Sequence, residues 1–434
     1  MFEKINDYRL RRNILLFIPN NPTYPQYGSQ IRMLQLIVDL REGSNLFVAS
    51  SDRTIDTIWP KVLSKAREEL GIHGLDIYER SKIYRYCERP TKLAIRVCNK
   101  IFRVLGVQIL PNNLYEKLRA RLMEIWFSHL SIKYSPDLVI IYFTHWNLIK
   151  KVKDSVLKAI ELHDLMPLHY YLNEKVKEQL ILVNGRYQLV KNRTDYGYIS
   201  KRNELPDAVG AQLQTLCDTL SNFNLIWAIS DREKNLIQEI NPNLKIEIIY
   251  PKIVTKSDSS RVKSLSALLP VGPNIFNTFA LLAFFEDVEP SLRPPDGDKI
   301  FITGKFWDDC PISMRASIEY LGLVDDYEER LKSAKFLIAP AAVGTGQQMK
   351  IFEALSCGVP VVCYKCAVPE FMQLEKIGVV CVNDPNEFSD AINRLWHDPE
   401  YYSSILSGAA EFNNYFNNQY SYSNSVAQLF SDNL

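Results

Sequence analysis

Short apolar runs with no polar alternation set the tightest limit on this fold. DLVIIY at 137–142 is the plainest, and IFIT at 300–303, FLIA at 336–339 and VPVVC at 359–363 repeat the pattern. A strand with one wet face alternates apolar and polar side chains, so a strand apolar throughout is covered on both faces. Helices on each side of a parallel sheet give that cover, through right-handed βαβ connections. Helical spacing fills the stretches between: Ile31, Leu34, Ile37 and Val38 share one face of a helix predicted over residues 29–40.

Two series of such units follow one another. The first has predicted strands at Asn13–Ile18, Asn45–Ala49, Asp137–Tyr142, Ala159–Leu162, Leu225–Ile229 and Ile246–Tyr250. The second has them at Leu268–Val271, Ile300–Thr303, Phe336–Ala339, Val359–Cys363 and Val379–Val382, with a helix near Asn386–Trp396. Between the two, KIVTKSDSSRVKS is polar and without apolar periodicity. The chain's 434 residues also exceed what one core serves, about 250–300 residues. The expectation is α/β, with parallel-sheet domains over 1–252 and 265–400 facing across a cleft. A tail over 401–434, carrying Ile405, Leu406, Phe412 and Phe416, is predicted to end in a helix packed back on the first domain. Asn184-Gly185, between ILV and RYQLV, predicts a hairpin insertion near 180–192.

Composition narrows the class. Hydrophobic residues are 47% and charged residues 23%, as in globular proteins, and a net charge of +1 gives no field to steer a nucleic acid, so none is expected as partner. Nothing approaches the roughly 18 consecutive apolar residues of a spanning helix, and the first residues are mixed and charged. A cytoplasmic protein with its eight cysteines reduced is the expectation. Cys363-x-x-Cys366 lacks a second close pair and reads as a strand end; Asp296-Gly297-Asp298, behind two prolines, reads as a turn. No metal is expected. Arg89, Lys92, Arg96, Lys100 and Arg103 recur at helical spacing, so the stretch 89–105 can form a basic amphipathic helix, fit either for its own domain or for an anionic membrane at the inner face.

The densest chemistry lies in APAAVGTGQQMKIFEALSCGVP at 339–360. A strand ends at Pro340, Gly344-Thr345-Gly346 makes a loop, and a helix is predicted from about Gln347. Glycines admit a ligand close to the backbone, and free N–H groups at a helix start form an anion site. Lys350 and Glu353, three apart on one face, suit a diphosphate and paired ribose hydroxyls. The alternative is a helix with a surface ion pair. The loop fits neither G-x-G-x-x-G nor a Walker A motif.

This segment resembles the C-terminal signature of the retaining "group 1", family 4-like GT-B glycosyltransferases, P…GTG…K..EA…G.PVV. Weaker likenesses fall in register: PTYPQYGSQIRMLQLIVDL at 22–40, ELHD at 161–164, IWAIS at 226–230, and the run from Val324-Asp325 to Pro340. The resemblance implies two Rossmann-like domains and transfer, with retention, of a sugar from a UDP-, GDP-, ADP- or TDP-sugar to a glycan, lipid-linked or small-molecule acceptor. It places Gly28, Arg32, Lys305, Val324, Gly344, Thr345, Gly346, Lys350 and Glu353 on the donor side. His163, with Lys350, would serve the reacting centre; His145, Trp146 and Asp164 are acceptor-side candidates. Two departures stand out. The first of the family's paired glutamates is Thr345 here, and the Arg and Lys that follow the second domain's first strand are missing from Gly272-Pro273-Asn274…Thr278. The rival readings are a catalytically silent GT-B partner subunit and a nucleotide-sugar epimerase of the same fold.

Overall fold

The computed structural model describes residues 11–19, 28–51, 71–94, 112–143, 145–190, 201–250, 265–305, 317–368, 374–416 and 421–433. Strands β1 (Arg12–Ile18), β2 (Ser44–Ser50), β3 (Gly74–Ile77), β4 (Leu138–Tyr142) and β5 (Leu157–Glu161) come first. A hairpin of β6 (Leu180–Val183) and β7 (Arg186–Leu189) follows, then β8 (Leu225–Ala228) and β9 (Ile246–Ile248). All but the hairpin join one parallel sheet ordered β3-β2-β1-β4-β5-β8-β9. The second lobe holds β10 (Leu265–Val271), β11 (Ile300–Gly304), β12 (Ile318–Gly322), β13 (Ala334–Ala339), β14 (Val361–Tyr364) and β15 (Val379–Val382). They too are parallel, ordered β12-β11-β10-β13-β14-β15.

The two-sided cover expected of the apolar runs is present. Every residue of β4 is at most 1% exposed, with helices packed on the sheet. β3 and β12 were absent from the sequence expectation. Both are edge strands: β3 is only four residues long with two of them half-exposed, and no residue of β12 is buried, so neither needs a continuous apolar run. The helix predicted over 29–40 spans Gly28–Arg41, with Met33, Leu36, Ile37 and Leu40 buried against the sheet.

The tail divides between the lobes. Helix Pro399–Phe416 stays on the second, where Phe412 meets Phe352 edge to face at 6.1 Å. Helix Tyr422–Asp432 crosses to the first, where the buried Trp227 indole donates to Ser425 Oγ at 2.7 Å and Lys245 pairs with Asp432 at 2.6 Å.

In each sheet the chain builds outward from one strand, then returns to that strand's other side: β1 against β4, and β10 against β13. Such reversal points open a crevice beyond the strands' carboxyl ends, where ligands of open α/β sheets collect. The glycine loop leaves β13 at one of these points. His163 and Asp164 leave β5, beside β4, in the other lobe.

Candidate functional site

The glycine loop is shaped by its last glycine. Gly346 has φ +68°, and a Cβ there would meet Ile229 Cδ1 at 2.8 Å and the His163 carbonyl at 3.4 Å. The loop therefore runs directly against the strand ends of the first lobe, and its left-handed backbone there favours glycine. Helix Met349–Ser356 follows, held from behind by Ile351, Phe352 and Leu355 in the second core.

A cavity of about 240 Å³ lies in front of the loop. The second lobe contributes Val343 through Gln348, Lys350, and Asn274, Phe276 and Asn277 around the start of helix Ile275–Ala283; the first lobe contributes Asp164 and His169. A larger, open depression of about 470 Å³ beside β9 shares none of these residues.

Lys350 is the cation of this cavity. Its ammonium donates to the Pro270 carbonyl at 3.0 Å and to Asn277 Oδ1 at 3.1 Å, at the carboxyl end of β10. Burial lowers its pKa to about 8, against the opposing pull of Glu353. The stretch after β10 lacks Arg and Lys, and Lys350 brings a positive charge to that place from the neighbouring strand's helix. Glu353, one turn on, is raised by burial, with Lys350 opposing. Tyr327, beyond Val324 in the loop after β12, is near enough to feel the Glu353 charge.

Across the cavity the first lobe grips the loop through side chains. Thr345 Oγ1 donates to Asp164 Oδ2 at 2.8 Å. His169 Nδ1 lies 2.9 Å from the same oxygen and 2.8 Å from Thr345 Oγ1. The hydrogen bond to Asp164 raises the His169 pKa, against burial. Arg232 donates to the Gly344 carbonyl at 2.6 Å, and the Gly346 N–H donates to Glu233 Oε1 at 3.2 Å. Burial, then the nearby Asp164 charge, pushes the Glu233 pKa up to about 8. None of His169, Arg232 and Glu233 belonged to the sequence expectation.

The remaining expected residues lie around this centre or away from it. His163 adjoins the loop through its backbone. Its ring stacks on Tyr142 at 6.4 Å and meets Phe143 edge to face at 5.5 Å, and burial lowers its pKa. Arg32 is 1% exposed and ion-paired with the fully buried Glu161, which also accepts from Tyr422 at 3.3 Å. The structure thus ties Arg32 to its own lobe, within electrostatic reach of His163. Gly28 opens helix Gly28–Arg41. Lys305 is exposed after β11 and does not line the cavity. His145 has φ +68° and lies 5.2 Å from Phe17, its pKa lowered to about 4 by burial and Arg119; Trp146 packs half-buried on the first core. Neither lines the cavity.

Among the described residues no group of three or more His, Cys, Asp or Glu is placed to hold a metal ion. Asp298, in the turn before β11, pairs with Lys335 at 2.9 Å. Of the basic stretch 89–105, residues 95–105 lie outside the described residues, and no described helix is long and apolar enough to cross a membrane.

Residues 271–398 match the family described as Glycosyl transferases group 1. No curated protein matches the chain significantly. Among solved structures, HepE of Anabaena in complex with UDP is similar over 97% of this chain and 100% of its own, at TM-score 0.59 and 12% identity. Sucrose-phosphate synthase from Thermosynechococcus elongatus is similar over 97% and 99%, at TM-score 0.59 and 14% identity. A TarM mutant of S. aureus, in complex with fondaparinux, alpha-GlcNAc-glycerol and UDP, is similar over 97% and 99%, at TM-score 0.59 and 10% identity. Identities this low speak for the fold. The chain has the GT-B fold, two parallel-sheet Rossmann-like lobes, and its second lobe carries the segment that matches the group 1 glycosyl transferases.

Proposed function

We propose that this protein is a glycosyltransferase that holds a nucleoside-diphosphate-sugar at the glycine loop and transfers the sugar, with retention and without a metal, to a glycan, lipid-linked or small-molecule acceptor. The observation that carries this reading is the cavity itself. One lobe brings loop backbone and the Lys350 ammonium to it, and the other brings Asp164 and His169. A diphosphate needs donors and positive charge that strengthen as the leaving group gathers charge. Lys350 is the side chain here that supplies both. Glu353, largely buried one helical turn beyond Lys350, would receive two ribose hydroxyls through its carboxyl group.

In the transfer, the bond from the anomeric carbon to the diphosphate breaks as the acceptor oxygen bonds to that carbon. The acceptor's proton passes to the leaving phosphate on the same face, which preserves configuration. His163, with its pKa lowered, positions the sugar as a neutral ring. The complexes of HepE and TarM with UDP support a nucleoside diphosphate as the bound group.

The test begins with melting-temperature shifts on adding UDP, GDP, ADP or TDP. One of the four is expected to stabilise the protein, and its sugar nucleotide should release that diphosphate when acceptors are supplied. Glu353→Ala should weaken nucleotide binding by about tenfold or more. Binding without release over a broad acceptor panel would turn the reading to a silent partner subunit; no stabilisation by any nucleotide would end it. A lipid-linked acceptor is the variant favoured by the basic stretch 89–105, of which Lys92 lies over the Tyr115 ring at 5.5 Å. Flotation with anionic liposomes tests that variant, and protein left at the bottom of the gradient removes it.

A further inference from the structure

We propose that Asp164 binds hydroxyls of the transferred sugar, so that the first lobe supplies a carboxyl group that the glycine loop lacks at Thr345. The inference rests on the glycosyltransferase reading above and names a contact within it.

The loop residue nearest the first lobe, Thr345, is neutral, and its hydroxyl is spent on Asp164 Oδ2. His169 Nδ1 lies against that same oxygen, and the three polar atoms form a tight triangle. The carboxyl group is thereby fixed in orientation by one donor from each lobe, and its second oxygen is committed to one direction. That oxygen, Oδ1, is buried and has no hydrogen-bond partner among the described residues, although Asp164 lines the cavity. Buried acceptors are nearly always satisfied, and one left open beside a cavity marks where a ligand's donor belongs. Glu233 repeats the arrangement. Its Oε1 takes the Gly346 N–H, and its Oε2 is buried without a hydrogen-bond partner among the described residues. Of the two, only Asp164 lines the cavity, so Asp164 Oδ1 is the acceptor that a ligand's hydroxyl can meet.

Position decides which part of the ligand this is. The loop leads into the helix whose Lys350 faces the diphosphate, and the group covalently attached to a diphosphate is the donor sugar. An acceptor hydroxyl enters from farther out. Asp164 therefore contacts the sugar directly, while His169 and Thr345 are positioning residues that act through it.

The experiment compares each diphosphate with its sugar nucleotide by titration calorimetry, using UDP against UDP-glucose and GDP against GDP-mannose. The wild type should bind one sugar nucleotide more tightly than the matching diphosphate. Asp164→Ala should erase that increment, about tenfold, and leave the diphosphate affinity within about twofold. Asp164→Asn, which keeps the side chain's shape, decides the matter if the alanine variant does not fold, and should also lose most of the increment. Thr345→Val should lose part of it. An increment retained in the Asp164 variants, or no increment in the wild type that binds the diphosphate, overturns this inference alone. A wild type that binds no nucleotide overturns the glycosyltransferase reading, and this contact with it.

Discussion

Lys350 sits in a conflict that a ligand resolves. Its ammonium is half-buried at the cavity, held by a carbonyl and an amide oxygen that bring no full charge, and desolvation lowers its pKa to about 8. In the empty protein the cation is present below pH 8 and lost above it. A bound diphosphate favours the charged form, so binding above pH 8 must take up a proton. Nucleotide affinity is therefore expected to be flat from pH 6 to 7.5 and to fall by roughly tenfold per unit beyond pH 8. Calorimetry in buffers of different ionisation enthalpy checks the proton uptake; an affinity unchanged to pH 9.5 would remove Lys350 from the phosphates. Arg32 presents the opposite case. Burial disfavours its charge, but the pairing with Glu161 outweighs that and raises its pKa. Its terminal nitrogens have no hydrogen-bond partner among the described residues, so Glu161 is the counter-charge that makes the buried cation tolerable, beside the Tyr422 ring at 6.0 Å. Glu161→Gln is expected to destabilise the first lobe by about 3–5 kcal/mol in urea unfolding, since a buried cation loses its counter-charge.

The glycine loop shows how one element serves two lobes. At Gly346 an alanine would have to adopt a left-handed backbone and push its Cβ onto Ile229. Relief comes from a turn of the Ile229 side chain or from the loop backing away from the first lobe, and the second would loosen the Thr345 and Gly346 hydrogen bonds together. Gly346→Ala is expected to weaken nucleotide binding at least about tenfold while costing only about 1–2 kcal/mol of stability. Equal losses in both would mean a general fault in the second core. The loop was legible in the sequence because its parts are local: strand, glycines, Lys350 and Glu353 fall within 22 residues. The parallel strands were legible because two-sided burial writes itself as continuous apolar runs. Edge strands β3 and β12 were not, the first being only four residues long and the second half-exposed or exposed throughout. Asp164 and His163 were named from the ELHD run, but their contacts with the loop were not, and His169, Arg232 and Glu233 were missed altogether. Asp164 and Thr345 are 181 positions apart, and Arg232 and Gly344 are 112 apart, separations at which no spacing rule operates. His169 and Glu233 lie in ordinary amphipathic helices, and only the juxtaposition of the two sheets makes them part of the site.

At the scale of the whole molecule, the lobes touch through polar groups whose charge depends on pH. Glu233 is 1% exposed, accepts the Gly346 N–H, and has its pKa pushed up to about 8 by burial and by Asp164. A carboxyl whose folded pKa is raised binds protons more tightly in the folded state. Its contribution is complete below the ordinary carboxyl range, is lost as pH rises toward 8, and is constant thereafter. Neutral pH thus finds Glu233 largely protonated against the loop, where a phosphate can approach without meeting a second negative charge. The same amide cannot serve both, so nucleotide binding must displace or share this contact. Glu233→Gln keeps a neutral acceptor for Gly346 at every pH. The wild type's melting temperature is therefore expected to fall relative to the variant's between pH 5 and 8, with the variant the more stable at pH 8.5. The difference should grow by at most about 1.4 kcal/mol per pH unit. Paired scanning calorimetry from pH 5 to 9 measures it directly. Parallel curves would mean that the carboxyl meets water when the lobes come together, and that the grip on the glycine loop rests on Arg232, Thr345 and Asp164 instead.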